Sequence, residues 1–174
     1  RIFSINLMAS PGSGKTSLIL QTIQGLNTRM QIGVIEGDTA PVTIDADKIL
    51  AAGMPAVQVN TGGECHLDAD MIDRALICPA AFNLGTHANV LIASVPEGDD
   101  KPYKYPNIYR GLDVLIINKI DLLPYVSFNM EYFQQGVELL NPGLVTFPVS
   151  CKTGEGIEKW IDWLQLRVNQ QKAG

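Results

Sequence analysis

Ala9-Ser-Pro-Gly-Ser-Gly-Lys-Thr16 stands between an apolar run, Ile2–Met8, and a helix-period segment, Gly14–Leu26. A strand that ends in a glycine-rich turn and opens directly into a helix is the context in which such a turn binds phosphate. Gly12 and Gly14 let the backbone curl so that successive N–H groups and the helix N-terminus face one point, where peptide dipoles favour negative charge. The candidate phosphate contacts are Gly12, Ser13, Gly14, Lys15, Thr16 and Ser17. Lys15 bridges the β- and γ-phosphates, and Thr16 supplies a hydroxyl to Mg²⁺. Ala9 stands where the pattern begins with glycine, a mild departure because the two later glycines make the tighter contacts.

Working outward, apolar runs alternate with helix-period segments, the pattern of a parallel sheet with crossover helices. Strands are expected at Ile2–Met8, Gln31–Glu36, Ala56–Asn60, Asn89–Val95, Val114–Asn118 and Val145–Val149, with helices at Gly14–Leu26, Thr43–Ala52, Leu67–Leu76, Asn129–Leu140 and Glu155–Asn169. Ile157, Trp160, Ile161 and Leu164 form a one-faced stripe on the last helix, which reads as core packing. The stretches Pro96–Pro106 and Asp121–Ser127 read as loops. The expected fold is α/β, a P-loop NTPase with a mostly parallel central sheet flanked by helices on both faces, as a single domain over residues 1–174. The alternation breaks once. The helix ending near Leu76 runs into Ile77-Cys-Pro-Ala80 with no strand before the next apolar run, so a segment containing a strand is expected to be absent between Leu76 and Ile77.

Composition sets the outer bounds. At 174 residues, 46% hydrophobic and 18% charged, the chain lies in the ordinary globular range. A net charge of −5 and a pI near 4.9 argue against nucleic acid or an anionic membrane as partner, because both need clustered Lys and Arg. No apolar run approaches the ~20 residues of a membrane helix, and no basic segment followed by an apolar one opens the chain, so a cytoplasmic protein is expected. The chain opens at Arg1-Ile2, already inside an apolar run, so any extension before it lies outside this sequence. Three cysteines, Cys65, Cys78 and Cys151, are too few for a disulfide framework and point to metal, catalysis or burial.

Two further motifs fall at strand ends. Asn118-Lys-Ile-Asp121 closes Val114–Ile117, and Ser150-Cys-Lys152 follows Val145–Val149. A carboxylate at Asp121 can accept both the N1–H and the 2-amino protons of guanine. Adenine has neither, and a site built on such hydrogen bonds can reject the analogue lacking them by as much as ~10⁴-fold. Lys119 and Lys152 lay their aliphatic stems along the two faces of the base, Asn118 ties its loop to the P-loop, and the Cys151 N–H meets guanine O6. The Cys151 thiol reads as packing. Three motifs in this order, each at a carboxyl end of a strand, specify GTP.

Cys65-His66 opens the Leu67–Leu76 helix and Cys78 follows it. Thiolate and imidazole suit Ni²⁺ or Zn²⁺, and a helix N-terminus favours thiolate. Two adjacent ligands cannot close a tetrahedral site, so Cys78 and a second subunit would complete it. On spacing alone, buried small hydrophobes explain the cysteines equally well. Lys15 and Asp38 are the catalytic candidates; Asp38 leads and Asp45 follows as the acidic contact to Mg²⁺ or its water, with a helix N-cap or a solvated charge as the alternative for either. His87 reads as a surface-loop residue.

Ile35-Glu-Gly-Asp38, Asn60-Thr-Gly-Gly-Glu-Cys-His-Leu-Asp68, Cys78-Pro-Ala80, Glu97-Gly-Asp-Asp-Lys-Pro102, Asn118-Lys-Ile-Asp-Leu-Leu-Pro124 and Pro148-Val-Ser150 together resemble the HypB family of hydrogenase-maturation GTPases, across nearly the whole chain. The resemblance implies a nickel or zinc site at Cys65, His66 and Cys78, GTP-dependent homodimerisation and slow GTP hydrolysis. It also implies delivery of nickel to the [NiFe]-hydrogenase large-subunit precursor together with a HypA-type metallochaperone. In that family the second cysteine follows a strand with a Glu-Asn-x-Gly-Asn switch motif, which is the piece expected to be missing here. The urease-type nickel GTPases are the nearest alternative, disfavoured because their metal motif resembles Cys-Pro-His, whereas Cys65 and His66 are adjacent. A module in which GTP only sets the oligomeric state is the alternative from another class.

Overall fold

A computed structural model describes residues 2–38, 44–60 and 86–173, with the backbone alone at 36–38, 44–46 and 57–60. Two compact units are present, Arg1–Gln21 with Thr86–Gly174, and Thr22–Gly85. The expected helix at Leu67–Leu76, the break after it, and Cys65, His66 and Cys78 lie outside the described residues.

The first unit is built on a parallel four-stranded sheet in the order β1 (Ile5–Ala9), β4 (Ala88–Ser94), β5 (Val114–Asn118), β6 (Val145–Pro148). Each neighbour pair is parallel, with Ala9 opposite Ile92, Ser94 opposite Asn118 and Ile117 opposite Pro148. This register brings the strand ends level, so the loops that leave them lie side by side. All five residues of β5 are buried, which is why it reads as an unbroken apolar run. One face of the sheet packs Leu91, Ala93, Leu115 and Ile117 against Val95, Tyr109, Leu112, Phe133 and Val137.

Helix α1 (Lys15–Leu26) begins in this unit and ends in the second, where β2 (Val34–Asp38) pairs in parallel with β3 (Ala56–Asn60) and α2 (Ile44–Ala51) connects them. Among the described residues the strands form a four-stranded sheet in the first unit and a two-stranded sheet in the second. Among the described residues β1 is paired on one side only.

Element ends differ from the sequence expectation by a few residues, for local reasons. The carboxy-terminal helix, α5, runs Ile157–Ala173 instead of starting at Glu155, because Gly154 and Gly156 take φ of +84° and +74°, outside any right-handed helix. Asn129 is the cap of α4 (Met130–Leu140) rather than its first residue; its side chain accepts from the Tyr132 N–H.

The stretches read as loops contain short helices: 3₁₀ turns at Val95–Glu97, Pro106–Ile108 and Ile120–Tyr125, and one α-helical turn, α3 (Lys101–Lys104). Prolines at the first turns of three of these hold φ near the helical value and lack an N–H that would be unpaired there. Helix α3 packs closely on α4. A Cβ at Gly136 would sit 2.8 Å from the Tyr103 ring and 3.0 Å from Pro102 Cβ, so any larger residue there would push α3 or the Tyr103 ring outward.

Phe133 is 1% exposed and meets Tyr109 edge-on at 6.1 Å between ring centroids. Phe133→Ala is expected to cost about 3–5 kcal/mol, the range for deleting a buried aromatic ring. Urea unfolding of both proteins checks this; a loss under about 1 kcal/mol would mean that the core closes over the gap.

Candidate functional site

Three of the sequence motifs leave the carboxyl ends of β1, β5 and β6, and the first unit contains all of them. After β1 the chain turns over Ser10–Ser13. The Ser13 N–H donates to the Ser10 carbonyl at 3.1 Å and the Ser13 hydroxyl does so at 2.8 Å. Gly14 follows with φ +104°, and a Cβ there would collide with the Asn118 amide. Glycine is required at this point both by the backbone turn and by the close approach of the second loop. Lys15 and Thr16 then form the first residues of α1, whose N-terminal amides face the same side.

Asn118 is 2% exposed and uses both ends of its carboxamide. Its Nδ2 donates to the Ser13 carbonyl at 2.9 Å, while its Oδ1 accepts from the N–H groups of Lys119 at 2.8 Å and Cys151 at 3.1 Å. One carbonyl needing a donor and two amides needing an acceptor leave no freedom in the amide's orientation. Lys119 takes φ +64°, a left-handed conformation that costs a residue with a side chain on the order of 1 kcal/mol or more. Two hydrogen bonds offset it: the one to Asn118, and one from Lys119 Nζ to the Gly12 carbonyl at 2.6 Å. The aliphatic stem of Lys119 therefore runs from the β5 loop to the phosphate loop.

Asp121 is held from the third loop. Ser150, fully buried, donates its hydroxyl to Asp121 Oδ1 at 2.7 Å and accepts the Thr153 N–H at 3.2 Å. One carboxylate oxygen is thus used for orientation, and the other remains for a ligand. Gln21, on α1, donates to the Cys151 carbonyl at 3.1 Å and ties the helix to the same loop. Lys152 is exposed. In this structure the Cys151 N–H, expected to meet a base oxygen, donates to Asn118. The Cys151 thiol is half-buried, and burial pushes it up to about 11.

The structure thus brings together Gly12, Ser13, Gly14, Lys15, Thr16, Ser17, Asn118, Lys119, Asp121, Ser150, Cys151 and Lys152. Asp38, the last residue of β2, and Asp45, in the first turn of α2, belong to the second unit, and their side chains are outside the description. No cluster of three or more His, Cys, Asp and Glu able to hold a metal occurs among the described residues. No helix among them is long and apolar enough to cross a membrane. His87 is exposed and accepts the Ser4 N–H at Nδ1, at 3.1 Å, away from these loops.

Sequence reasoning missed two features. Gln21 carries no local signal, because its partner lies 130 residues away. The other is a contact on the phosphate loop from Lys101, 91 residues from Ser10, for which the Glu97–Lys101 spacing of four was a legible sign.

A parallel α/β sheet with a phosphate loop after its first strand, and two base-reading loops after β5 and β6, defines a P-loop nucleotide-binding domain of the GTPase type. Residues 4–92 match the family model of the CobW/HypB/UreG nucleotide-binding domain. The chain belongs to this family. It is similar to the hydrogenase maturation factor HypB of Rhizobium leguminosarum bv. viciae, with 43% identity over 95% of this chain and 61% of that protein. It therefore spans about three fifths of the length of that relative. Among solved structures, HypB of Archaeoglobus fulgidus is 36% identical with a TM-score of 0.83, covering 94% of this chain and 88% of that one. HypB of Helicobacter pylori in complex with nickel is 30% identical with a TM-score of 0.87, covering 98% and 88%.

The raised Cys151 thiol gives a pH expectation. A thiol pushed from 9.0 to about 11 keeps its proton in the folded state at pH values where the unfolded chain loses it. Its contribution is intact below pH 9 and is lost as pH rises from 9 toward 11. Iodoacetamide labelling of Cys151, read by peptide mass, should stay slow at pH 8–9 and accelerate only near pH 11. Rapid labelling at pH 8 would contradict it.

Proposed function

We propose that this chain is the guanine-nucleotide domain of a GTP-hydrolysing nickel metallochaperone that serves [NiFe]-hydrogenase maturation in the cytoplasm. The observation that carries the nucleotide part is the buried Asn118 carboxamide, which joins the phosphate loop to both base-reading loops while Ser150 aims Asp121. Asp121 receives the N1–H and 2-amino protons of guanine on its remaining acceptor capacity. Lys119 and Lys152 cover the faces of the ring. The phosphate loop amides and Lys15 take the β- and γ-phosphates, so that charge developing on the transferred group meets donors already in place. Thr16, at the start of α1, would hold Mg²⁺ with Asp38, or Asp45, as the acidic contact. When bound, the ion neutralises charge on the β- and γ-oxygens. Hydrolysis is slow in this reading.

Cys65, His66 and Cys78 bind Ni²⁺ or Zn²⁺ as cargo, in a homodimer that forms with GTP. A HypA-type metallochaperone and the hydrogenase large-subunit precursor are the partners. The nickel in the Helicobacter pylori relative supports the metal part. We further infer that the single domain lacks a strand between Leu76 and Ile77. One fact supports this: the match to the Rhizobium relative runs over 184 residues, more than the 174 of this chain.

Two measurements test the proposal. The protein should prefer GTP to ATP by several orders of magnitude, with Asp121→Asn shifting preference to xanthine nucleotides; equal wild-type affinity for ATP and GTP would sink the guanine reading. Metal titration of the wild type and of Cys65→Ala, His66→Ala and Cys78→Ala, with GTP or GDP bound, tests the rest. Metal affinity should fall in each variant and differ roughly 5- to 150-fold between nucleotide states, the usual span of allosteric coupling. Unchanged affinity in all three variants, or no dependence on nucleotide, leaves a plain GTPase.

A further inference from the structure

The guanine-reading loop after β6 is held at its tip by a residue of the phosphate-binding helix, and the nucleotide reading leaves that residue without a role. The loop's own hydrogen bonds run past the tip: the Ser150 N–H donates to the Glu155 carbonyl at 2.9 Å and the Gly154 N–H to the Ser150 carbonyl at 2.8 Å. Cys151, at the tip, is held from other elements on both of its peptide groups. Its N–H donates to the Asn118 carboxamide at 3.1 Å, and its carbonyl accepts from Gln21 Nε2 at 3.1 Å. Peptide groups are planar, so one hydrogen bond on each side of a residue fixes both of its soft dihedrals. The Cys151–Lys152 peptide is trans, and its N–H therefore points away from Gln21. Half-buried Gln21 reaches this carbonyl because it lies one turn after Leu18, which is 1% exposed, on the inner side of α1. Lys15, at the mouth of the same helix, is roughly 9 Å away along the axis at about 1.5 Å per residue. One rigid helix therefore carries phosphate contacts at its start and the anchor of the base loop on its side.

From this geometry we infer that Gln21 is a positioning residue for recognition of the base. It fixes the direction of the Lys152 N–H and the point from which the Lys152 stem leaves, and it holds both at a set distance from the phosphate contacts. The inference rests on the guanine-nucleotide reading of the same loops. Gln21 governs one edge of the base, the 6-oxo group that the loop's amides meet. Asp121, which the Ser150 hydroxyl orients, reads the N1–H and 2-amino edge independently of Gln21. A carboxamide suits this position, since it is a donor without charge beside a loop that must receive a base. A carboxylate of the same length would set acceptor against acceptor at the Cys151 carbonyl. Gln24, on the same helix, is exposed and serves as an internal control.

The test is titration of the full chain and of Gln21→Ala, Gln21→Glu and Gln24→Ala with GDP, inosine diphosphate and 6-thioguanosine diphosphate, with thermal unfolding alongside. Inosine keeps the 6-oxo group and lacks the 2-amino group; 6-thioguanine keeps the 2-amino group and carries sulfur, a weak acceptor, in place of the oxygen. Loss of one neutral hydrogen bond to the loop should weaken GDP about fivefold in Gln21→Ala, inosine diphosphate by the same factor, and 6-thioguanosine diphosphate less than about twofold. Gln21→Glu should lose more GDP affinity than Gln21→Ala, and Gln24→Ala should match the wild type. Wild-type GDP affinity in both Gln21 variants would overturn the inference while leaving the guanine reading intact. Losses equal for all three nucleotides would likewise overturn it, by reducing Gln21 to a structural part. A wild type that binds GDP no better than ADP would remove both readings together.

Discussion

The carboxamide of Asn118 is the constraint on which this site depends. It is buried at the end of a fully buried strand, and its three hydrogen bonds reach a carbonyl of the phosphate loop and amides in two other loops. Only a carboxamide supplies both the donor and the double acceptor, and the shorter asparagine arm sets their reach. A carboxylate lacks the donor, and a hydroxyl cannot accept from two amides and donate to a carbonyl across that span. Removing it would strand polar groups in a place water reaches poorly, at a cost of about 1–3 kcal/mol for each unsatisfied group.

Other departures from ordinary local structure follow from that tie. Gly14 must lack a side chain because the Asn118 amide occupies the space, and Lys119 accepts a left-handed backbone because its N–H is bound to Asn118. Strain of this kind persists where surrounding contacts over-determine it, and it collects at functional sites. The phosphate loop is shaped by protein hydrogen bonds from Asn118, Lys119, Lys101 and its own Ser13. A loop already in its binding shape loses less freedom when a ligand arrives, which favours affinity and places dipoles before charge develops.

The candidate base and phosphate contacts, Gly12 to Ser17, Asn118, Lys119, Asp121 and Ser150 to Lys152, belong to the first unit, with its continuous sheet and its core around Phe133 and Tyr109. The acidic candidates Asp38 and Asp45 belong to the second.

The phosphate loop, Asn118-Lys-Ile-Asp121 and Ser150-Cys-Lys152 were legible from sequence because each requires particular residue types at the end of an apolar run, and runs and ends are local properties. The strands were legible for the same reason; β3 and β5 match the expectation residue for residue, and β1 starts three residues later. Short helices hid inside stretches that read as loops, since one turn is too brief to show a period. What only the tertiary structure decided is which groups meet: Asn118 with Ser13, Gln21 with Cys151, Lys101 with Ser10. These partners stand 105, 130 and 91 residues apart. Sequence periodicity reports neighbours a few positions away, whereas such pairings are set by the order and register of parallel strands, which places loops distant in the chain side by side.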